Sequence, residues 1–422
     1  MSTSDFTPQS PALQALQARG FIDAMTDASA IDAAFSAGMV TFYVGYDPTA
    51  SSLHAGSLTC IMVQRLLQRL GHKPIVLLGG GTARVGDPSG KTETRKMLDD
   101  ATLTANVAGI RRNFDGFLDF DAGKPNDAVL VDNADWLCGL HYLEFLRDIG
   151  SQFTVNRMIA AKTYRDRLDN EQPLSFLEFN YQLLQAYDFL HLYRDQGCTM
   201  QLGGSDQWGN MVAGTELIRR MLEGESKAQA LTWPLLLTAD GRKMGKTADG
   251  AVWLDPAQCK PFDYYQYWIG CHDDDVRGHL LKYTDLPVDE VDELCKAQGA
   301  ALREVKARLA HETTALAHGR EAAEAAAAAS KQAFGGGTDW SAVPSVSLEV
   351  SSISLLDLVI DPAVGAFKSK REARQRIDAG AVRLDGEAIK DPAHVLEASA
   401  FDDATARLQA GKKKRYRVVL GG

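Results

Sequence analysis

Three stretches of this 422-residue chain have the residue types and spacing to do chemistry. In YVGYDPTASSLHAGSL, residues 43–58, an apolar run ends in Gly45 and Asp47, and the lone His54 precedes Gly56, Ser57 and the helical pattern CIMVQRLLQRLG. A strand that ends in glycine lets a ligand approach the backbone, and a helix beginning near Gly56 aims free N–H groups and a positive dipole end at an anion. In TADGRKMGKT, residues 238–247, Lys243 and Lys246 stand three apart in a glycine-broken segment. Lysines on such a mobile loop can close on a polyphosphate and neutralise charge that develops in a transition state. The loop is not a Walker motif, because GxxxxGK[ST] is absent. In YQLLQAYD, Tyr181, Gln185 and Asp188 fall at i, i+4 and i+7, a polar stripe on one helix face flanked by Leu183, Leu184 and Leu190, which suits a pocket wall better than a solvated surface.

The elements that must position these residues alternate between strand and helix. TFYVGY and PIVLLGG read as short buried strands, each followed by glycines and a helical pattern, and CTMQLGGSDQWGN repeats the motif ahead of the helix NMVAGTELIRRML. That alternation predicts an α/β fold with a parallel sheet and ligands at the strands' carboxyl ends. LEFLRDIGSQFTVNRMIAAKTYRDRL and FLEFNYQLLQAYDFLHLYRDQG read as amphipathic helices, and the pattern is helical from Pro261 to about Lys331. GGGTDWSAVPSVS then reads as a linker, and SKREARQRIDAGAVRLDGEAIKD as a small α+β module with a helix stop at Gly380 and an Asp385-Gly386 turn.

Composition bounds the function. The chain carries 45 Lys+Arg and 55 Asp+Glu, a net −10, with 45% hydrophobic residues. No apolar run approaches the roughly 18 residues of a membrane span, and the start MSTSDFTPQS has no secretion signal, so a cytoplasmic location with no membrane partner is expected. The six cysteines show no CxxC pairing, which suits reduced thiols and no protein-bound metal. The charge is uneven: residues 352–422 carry a net +3 and the remainder −13. Lys368, Lys370, Arg371 and Arg374, with the tail KKKR of Lys412, Lys413, Lys414 and Arg415, make a basic appendage suited to nucleic-acid phosphates.

Taken together, HAGS and KMGKT resemble the HIGH and KMSKS signatures of class I aminoacyl-tRNA synthetases. With GDPSGK, FNYQLLQAYD and LGGSDQWGN in the same order, the chain resembles the bacterial-type tyrosyl-tRNA synthetases from about Tyr43 to its end, and the C-terminal module resembles their S4 RNA-binding domain. The resemblance implies a Rossmann-like catalytic domain over 1–255 with a dimerisation insertion near 125–170 and the lysine loop at 243–247. It further implies a helical anticodon-facing domain over 256–334, a linker over 335–351 and the S4-like domain over 352–422.

The implied reaction is tyrosine--tRNA ligation: L-tyrosine is activated with ATP and Mg²⁺ to tyrosyl-adenylate and then passed to tRNA(Tyr). By position, Tyr43 and Asp188 would bond the substrate phenol, Tyr181, Gln185 and Asp87 its ammonium, and Gln201 would support that pocket. Gly45, Asp47, Gly56, Ser57, Gly204, Asp206 and Gln207 would lie around the nucleotide. His54, Thr49, Lys91, Arg95, Lys243 and Lys246 would stabilise the transition state. The chain departs from the family pattern at Ser57, where many relatives have a second histidine, and at Val44, which cannot bond a ribose. A homodimer is implied, with DWLCGLHYLEFLRDIGSQF as the candidate contact. Two alternatives are a tryptophanyl-tRNA synthetase and a non-catalytic RNA-binding protein on a synthetase scaffold; the phenol pair and the complete lysine positions weigh against them.

Overall fold

The protein is described from a computed structural model that places residues 6–89, 98–235, 244–247, 250–334, 343, 345–401, 404–411 and 414–421. It divides into two compact units, Met1–Cys259 with Gly270–His318, and Lys260–Ile269 with Gly319–Gly422.

The first unit is built on a six-stranded sheet. Its strands are β1 (Ala24–Met25), β2 (Thr41–Tyr46), β3 (Lys73–Leu78), β4 (Val129–Asp132), β5 (Met200–Gly204) and β6 (Gln229–Trp233), in the order β1-β6-β5-β2-β3-β4. All pairings are parallel except the short antiparallel edge of β1 on β6. The strands expected from TFYVGY, PIVLLGG and CTMQLGG are β2, β3 and β5, and their continuous apolar character follows from burial on both faces. The chain leaves β2 towards β3 on one side, and β5 later returns on the other, so β2 and β5 flank the topological switch point at which ligands bind in such sheets. Their ladder holds only two pairs, Phe42 with Met200 and Tyr43 with Gln201, whereas the β2–β3 ladder runs on to Tyr46 and Leu78. Beyond Tyr43 and Gln201 the two strands part and a crevice opens.

The helix Phe176–Gln196 covers this region. A capping box starts it: the Ser175 hydroxyl accepts from Glu178 N–H, and the Glu178 carboxylate accepts from Ser175 N–H. The buried Arg167 guanidinium pairs with Glu178 at 3.0 Å and fixes the same turn. Gly197, in the left-handed conformation, ends it. Tyr43, Ile75, Leu77, Ala186, Phe189, Leu190, Cys198, Leu217 and Ile218 share one core under this helix and the helix Trp208–Met221. The two helices pack closely at Gly214, where a Cβ would stand 3.1 Å from the Phe189 ring.

Three expectations need correction. The segment from Leu143 to Leu168 is not one helix but three short ones, Tyr142–Asp148, Val155–Met158 and Lys162–Asp169. Gly150 is a poor helix former, and Phe153 and Thr154 turn extended so that the Phe153 ring can pack on the core. The region 256–334 does not cluster as one domain: Pro261–Ile269 and Arg320–Phe334 pack together in the second unit, while Val276–Tyr283, Val288–Leu294 and Leu302–His318 belong to the first. The linker expected over 335–351 gives way at Ser345–Leu348 to a strand, β9, whose Val346 and Leu348 enter the core of the C-terminal module.

That module has two short helices, Leu355–Ile360 and Lys370–Asp378, and a five-stranded sheet in the order β12-β11-β14-β15-β9. Here β10 is Ser352–Ser354, β11 Val382–Leu384, β12 Glu387–Ile389, β13 Val395–Glu397, β14 Thr405–Ala410 and β15 Lys414–Leu420. β9 pairs parallel to β15, and the expected Asp385-Gly386 turn joins β11 to β12 with both residues at positive φ.

The close approach at Gly214 gives a test. Gly214→Leu should overpack the contact with Phe189 and cost roughly 1–3 kcal/mol, read as a lower urea midpoint for unfolding of the full chain; an unchanged midpoint would mean the helices do not meet there as described.

Candidate active site

Tyr43, the last β2 residue paired with β5, stands where the two strands part, and its partner across the ladder is Gln201. Both are buried, and among the described residues neither the Tyr43 hydroxyl nor the Gln201 Oε1 has a hydrogen-bond partner. A buried polar atom without a partner costs about 1–3 kcal/mol, so two together mark a place built for a polar group. Beside them lies Asp188, also buried. Its Oδ2 accepts from Asn133 Nδ2 at 2.9 Å and its Oδ1 from Trp136 Nε1 at 2.8 Å. Burial pushes its carboxyl up to about 7, against the pull of those two donors, and the charges of Asp47 and Asp132 push in the same direction. The Tyr43 hydroxyl is held well above its usual range, first by burial and then by the Asp188 charge.

The other two positions of the polar stripe face neighbouring groups. Tyr181 donates to Asp47 Oδ1 at 3.5 Å. Gln185 donates to Gln207 Oε1 at 3.3 Å, and Gln207 donates to Asp87 Oδ2 at 2.8 Å, whose other oxygen accepts from Ser89 N–H at 2.8 Å. Asn210 closes the network by donating to Gln185 Oε1 at 3.1 Å. Residues far apart in sequence, 87, 185, 207 and 210, thus form one connected polar wall. Asn133, Trp136, Ser89 and Asn210 escaped the sequence reading. Asn133 and Trp136 follow β4, and the end of a parallel strand is the available signal; Trp136 falls within DWLCGLHYLEFLRDIGSQF, the expected subunit contact.

At the crevice's other end, His54 begins a 3₁₀ turn, Ala55–Ser57, that runs into the helix Leu58–Arg69. Its Nδ1 accepts from Gly56 N–H at 3.0 Å, which leaves Nε2 as the ring's N–H donor. Ser57 makes no side-chain cap bond, so capping is not its role. The lysine loop is tied to this turn. Ala55 N–H donates to Val252 O at 2.7 Å, Val252 N–H to Gly245 O at 3.0 Å, and His54 bridges Trp253. Gly245 lies at φ +79° with a Cβ position 2.2 Å from Gly56 N, and a Cβ on Gly56 would meet Met244 O at 2.6 Å. Only glycine at both places allows this approach.

Of the remaining expected residues, Gly45 and Thr49 are exposed where the chain leaves β2, and open space lies before Gly45. Asp206 and Gly204 stand at the end of β5, with Asp206 Oδ1 2.7 Å from where a Gly204 Cβ would be. Lys91, Arg95, Lys243, Lys412 and Lys413 lie outside the described residues, as does the side chain of Lys246, whose backbone opens the two-residue strand β7 (Lys246–Thr247) paired with β8 (Gly250–Ala251). In the second unit Lys368, Lys370, Arg371 and Arg374 are exposed, with Ala373 and Ile377 of the same helix turned to the core. Lys370 pairs with Asp357 at 3.2 Å, and Lys414 donates to Ala366 O at 3.1 Å, so both are partly committed to the fold. Arg415 is half-buried, and the exposed Arg376 extends the basic face beyond the expected set.

The Asp188 environment makes a pH prediction. A folded-state carboxyl near 7 against an ordinary value near 4 means that the folded protein retains a proton the unfolded chain has lost. This group therefore lowers stability as pH rises from about 4 to about 7. Asp188→Asn should gain on the wild type by roughly 1–3 kcal/mol between pH 5 and pH 8, measured by urea unfolding; parallel stability curves would contradict the buried charge.

A parallel sheet with a crevice at its switch point, a histidine turn and a glycine-tied lysine loop narrow the families to be compared. Residues 36–335 match the family model of tRNA synthetases class I (W and Y), and residues 338–419 that of the tyrosine--tRNA ligase SYY-like C-terminal domain. The chain is 51% identical over 409 residues to the tyrosine--tRNA ligase of Zymomonas mobilis, covering 97% of this chain and 98% of that one. To that of Beijerinckia indica it is 48% identical over 421 residues, 99% of each. The fold is similar to a C-terminally truncated mitochondrial tyrosyl-tRNA synthetase of Aspergillus nidulans, with a TM-score of 0.68 and 29% identity over 77% of this chain and 95% of that one. With identity at this level across both units, the chain belongs to the tyrosine--tRNA ligase family of class I tRNA synthetases.

Proposed function

We infer that the chain activates L-tyrosine with ATP, releasing pyrophosphate, and transfers the tyrosyl group from the adenylate to the 3′ end of tRNA(Tyr). The observation that carries the reading is the buried trio of Tyr43, Gln201 and Asp188, two of them with unpartnered polar atoms. A phenol hydroxyl donates to the Asp188 carboxylate and accepts from Tyr43 Oη, and so supplies the partner that the Tyr43 hydroxyl lacks. Phenylalanine fills the same volume, leaves the Tyr43 hydroxyl buried without a partner and gives the buried Asp188 no donor beyond Asn133 and Trp136. Rejection of phenylalanine by a site built for a hydroxyl is a known property of tyrosyl-tRNA synthetases, and its magnitude is theirs rather than one deduced from this chain.

The ammonium end belongs to Tyr181, Gln185 and Asp87, with Asp47 adding charge, since acidic and carbonyl oxygens converge there. The substrate carboxylate attacks the α-phosphorus; already ionised, it needs no general base, so the protein contributes orientation and charge stabilisation. His54 Nε2–H, the N–H groups of its turn, Lys91, Arg95, Lys243 and Lys246 serve the departing pyrophosphate, and Gly45, Gly204, Asp206 and Thr49 border the nucleotide. Mg²⁺ enters with the phosphates, as is usual for that ion. Among the described residues no group of three or more His, Cys, Asp or Glu gathers at one point, and none is assigned to the metal.

Two partner readings accompany this one. Tyr142, Leu143, Val155 and Phe176 expose large apolar surface near the 125–170 segment, which supports a homodimer contact there; Trp136, Phe145 and Phe153 of the same stretch instead pack on the core. The basic face around Arg371 and Arg374 supports tRNA binding through phosphates. No helix is long and apolar enough to cross a membrane among the described residues, and a cytoplasmic location accords with that.

Pyrophosphate exchange with tyrosine, tryptophan and phenylalanine tests the assignment. Tyrosine should be strongly preferred, and Tyr43→Phe should erode its advantage over phenylalanine by about tenfold or more, a loss on the order of 1.4 kcal/mol; unchanged selectivity would remove the phenol pocket. His54→Ala should slow adenylate formation by about 10²-fold or more with little effect on tyrosine binding, and Ser57→Ala much less. A rate loss for Ser57→Ala equal to that of His54→Ala would overturn the division of labour.

A further inference from the structure

Trp136, which donates to Asp188, is itself held by a residue that the reaction does not use. Its indole stacks on the His191 imidazole with ring centroids 4.2 Å apart and planes 24° apart. His191 lies on the helix Phe176–Gln196, three residues beyond Asp188, and its Nε2 is 3.2 Å from Asp195 Oδ2 one turn further on. The Tyr187 ring lies 6.5 Å from that of His191. The contacts therefore run from Asp195 through His191 and Trp136 to the carboxylate at the bottom of the crevice.

Trp136 packs in part against the core, but its own backbone offers little to set the plane of its ring. It stands in a four-residue helix, Ala134–Leu137, followed by the exposed Cys138 and Gly139. A single turn has no extended hydrogen-bond ladder to hold a large side chain at a set angle. The indole plane is instead set by the ring beneath it, in the near-parallel arrangement aromatic pairs favour, and the Asp195 carboxylate lies 3.2 Å from that ring's Nε2.

We propose that His191 is a positioning residue for tyrosine recognition: its ring fixes the plane of Trp136, which keeps the indole N–H on Asp188 and aims the carboxylate at the substrate hydroxyl. Without the stack, Asp188 keeps Asn133 as a donor but loses one of the two bonds that orient it. The phenol meets Asp188 alike in the ground state and in the transition state, so the effect falls on KM and not on kcat. The proposal rests on the reading of Asp188 as the phenol's partner.

The test uses the full-length enzyme in pyrophosphate exchange, with His191→Ala, His191→Phe and Asp188→Asn, and 5-fluorotryptophan labelling in which Trp136→Phe assigns the Trp136 resonance. His191→Ala should raise KM for tyrosine by about 3- to 10-fold, the scale of one aromatic contact, with kcat close to wild type and a displaced Trp136 resonance. His191→Phe, which restores a ring under the indole, should recover most of KM. An unchanged KM and resonance in His191→Ala, or equal impairment in His191→Phe, would overturn the proposal. If Asp188→Asn left KM for tyrosine unchanged, the reading of the pocket would fall first; impairment in Asp188→Asn with none in His191→Ala would defeat the His191 role alone.

Discussion

A carboxylate removed from water must be held by donors or lose its charge, and the position of Asp188 makes that choice consequential for the whole catalytic unit. Burial drives its carboxyl up to about 7, and only Asn133 and Trp136 draw it back. Those two residues come from the turn after β4, while Asp188 comes from the helix that covers β2 and β5. The sheet order and the packing at Gly214 and Phe189 are what bring them together. A group so placed destabilises the empty fold, and the site recovers that cost only when a substrate donates to it.

The same constraint explains why the crevice opens where it does. If the β2–β5 ladder continued past Tyr43 and Gln201, backbone bonds would occupy the switch point and no side chain could reach a ligand there. Just at its early end the side-chain atoms Tyr43 Oη and Gln201 Oε1 are buried without partners among the described residues, with the amino-end network of Asp87, Gln207, Gln185 and Asn210 on one side. On the other side the His54 turn and the Met244–Gly245 backbone meet across a distance that only two glycines tolerate. Ser57 in HAGS and Gly245 in KMGKT thus carry different weight. The serine is a hydroxyl with no capping bond, and the glycine is required by a left-handed backbone against Gly56.

Much of this was legible in the sequence because local signals and tertiary demands agree. Strands β2, β3 and β5 are apolar runs closed by glycine, and Tyr181, Gln185 and Asp188 announce their shared face by helical spacing. The supports were less visible. Asn133, Trp136 and His191 carry no motif of their own, and what they do depends on strand order, which no window of sequence contains. The helix expected from Leu143 to Leu168 failed for a related reason: after the turn Gly150–Gln152 the chain extends at Phe153, whose ring packs in part against the core. The linker expected over 335–351 failed because a short strand, SVSL, gains its identity only from pairing with β15, far along the chain.

The central claim is that the parting of β2 and β5 forms a pocket whose buried polar groups await a phenol hydroxyl. Calorimetric binding of L-tyrosine and L-phenylalanine to the full-length protein without ATP tests it most directly. The account requires tyrosine to bind at least about tenfold more tightly, since phenylalanine leaves the buried Tyr43 hydroxyl unpaired at about 1–3 kcal/mol and brings no donor to Asp188. Comparable affinities for the two amino acids would contradict it.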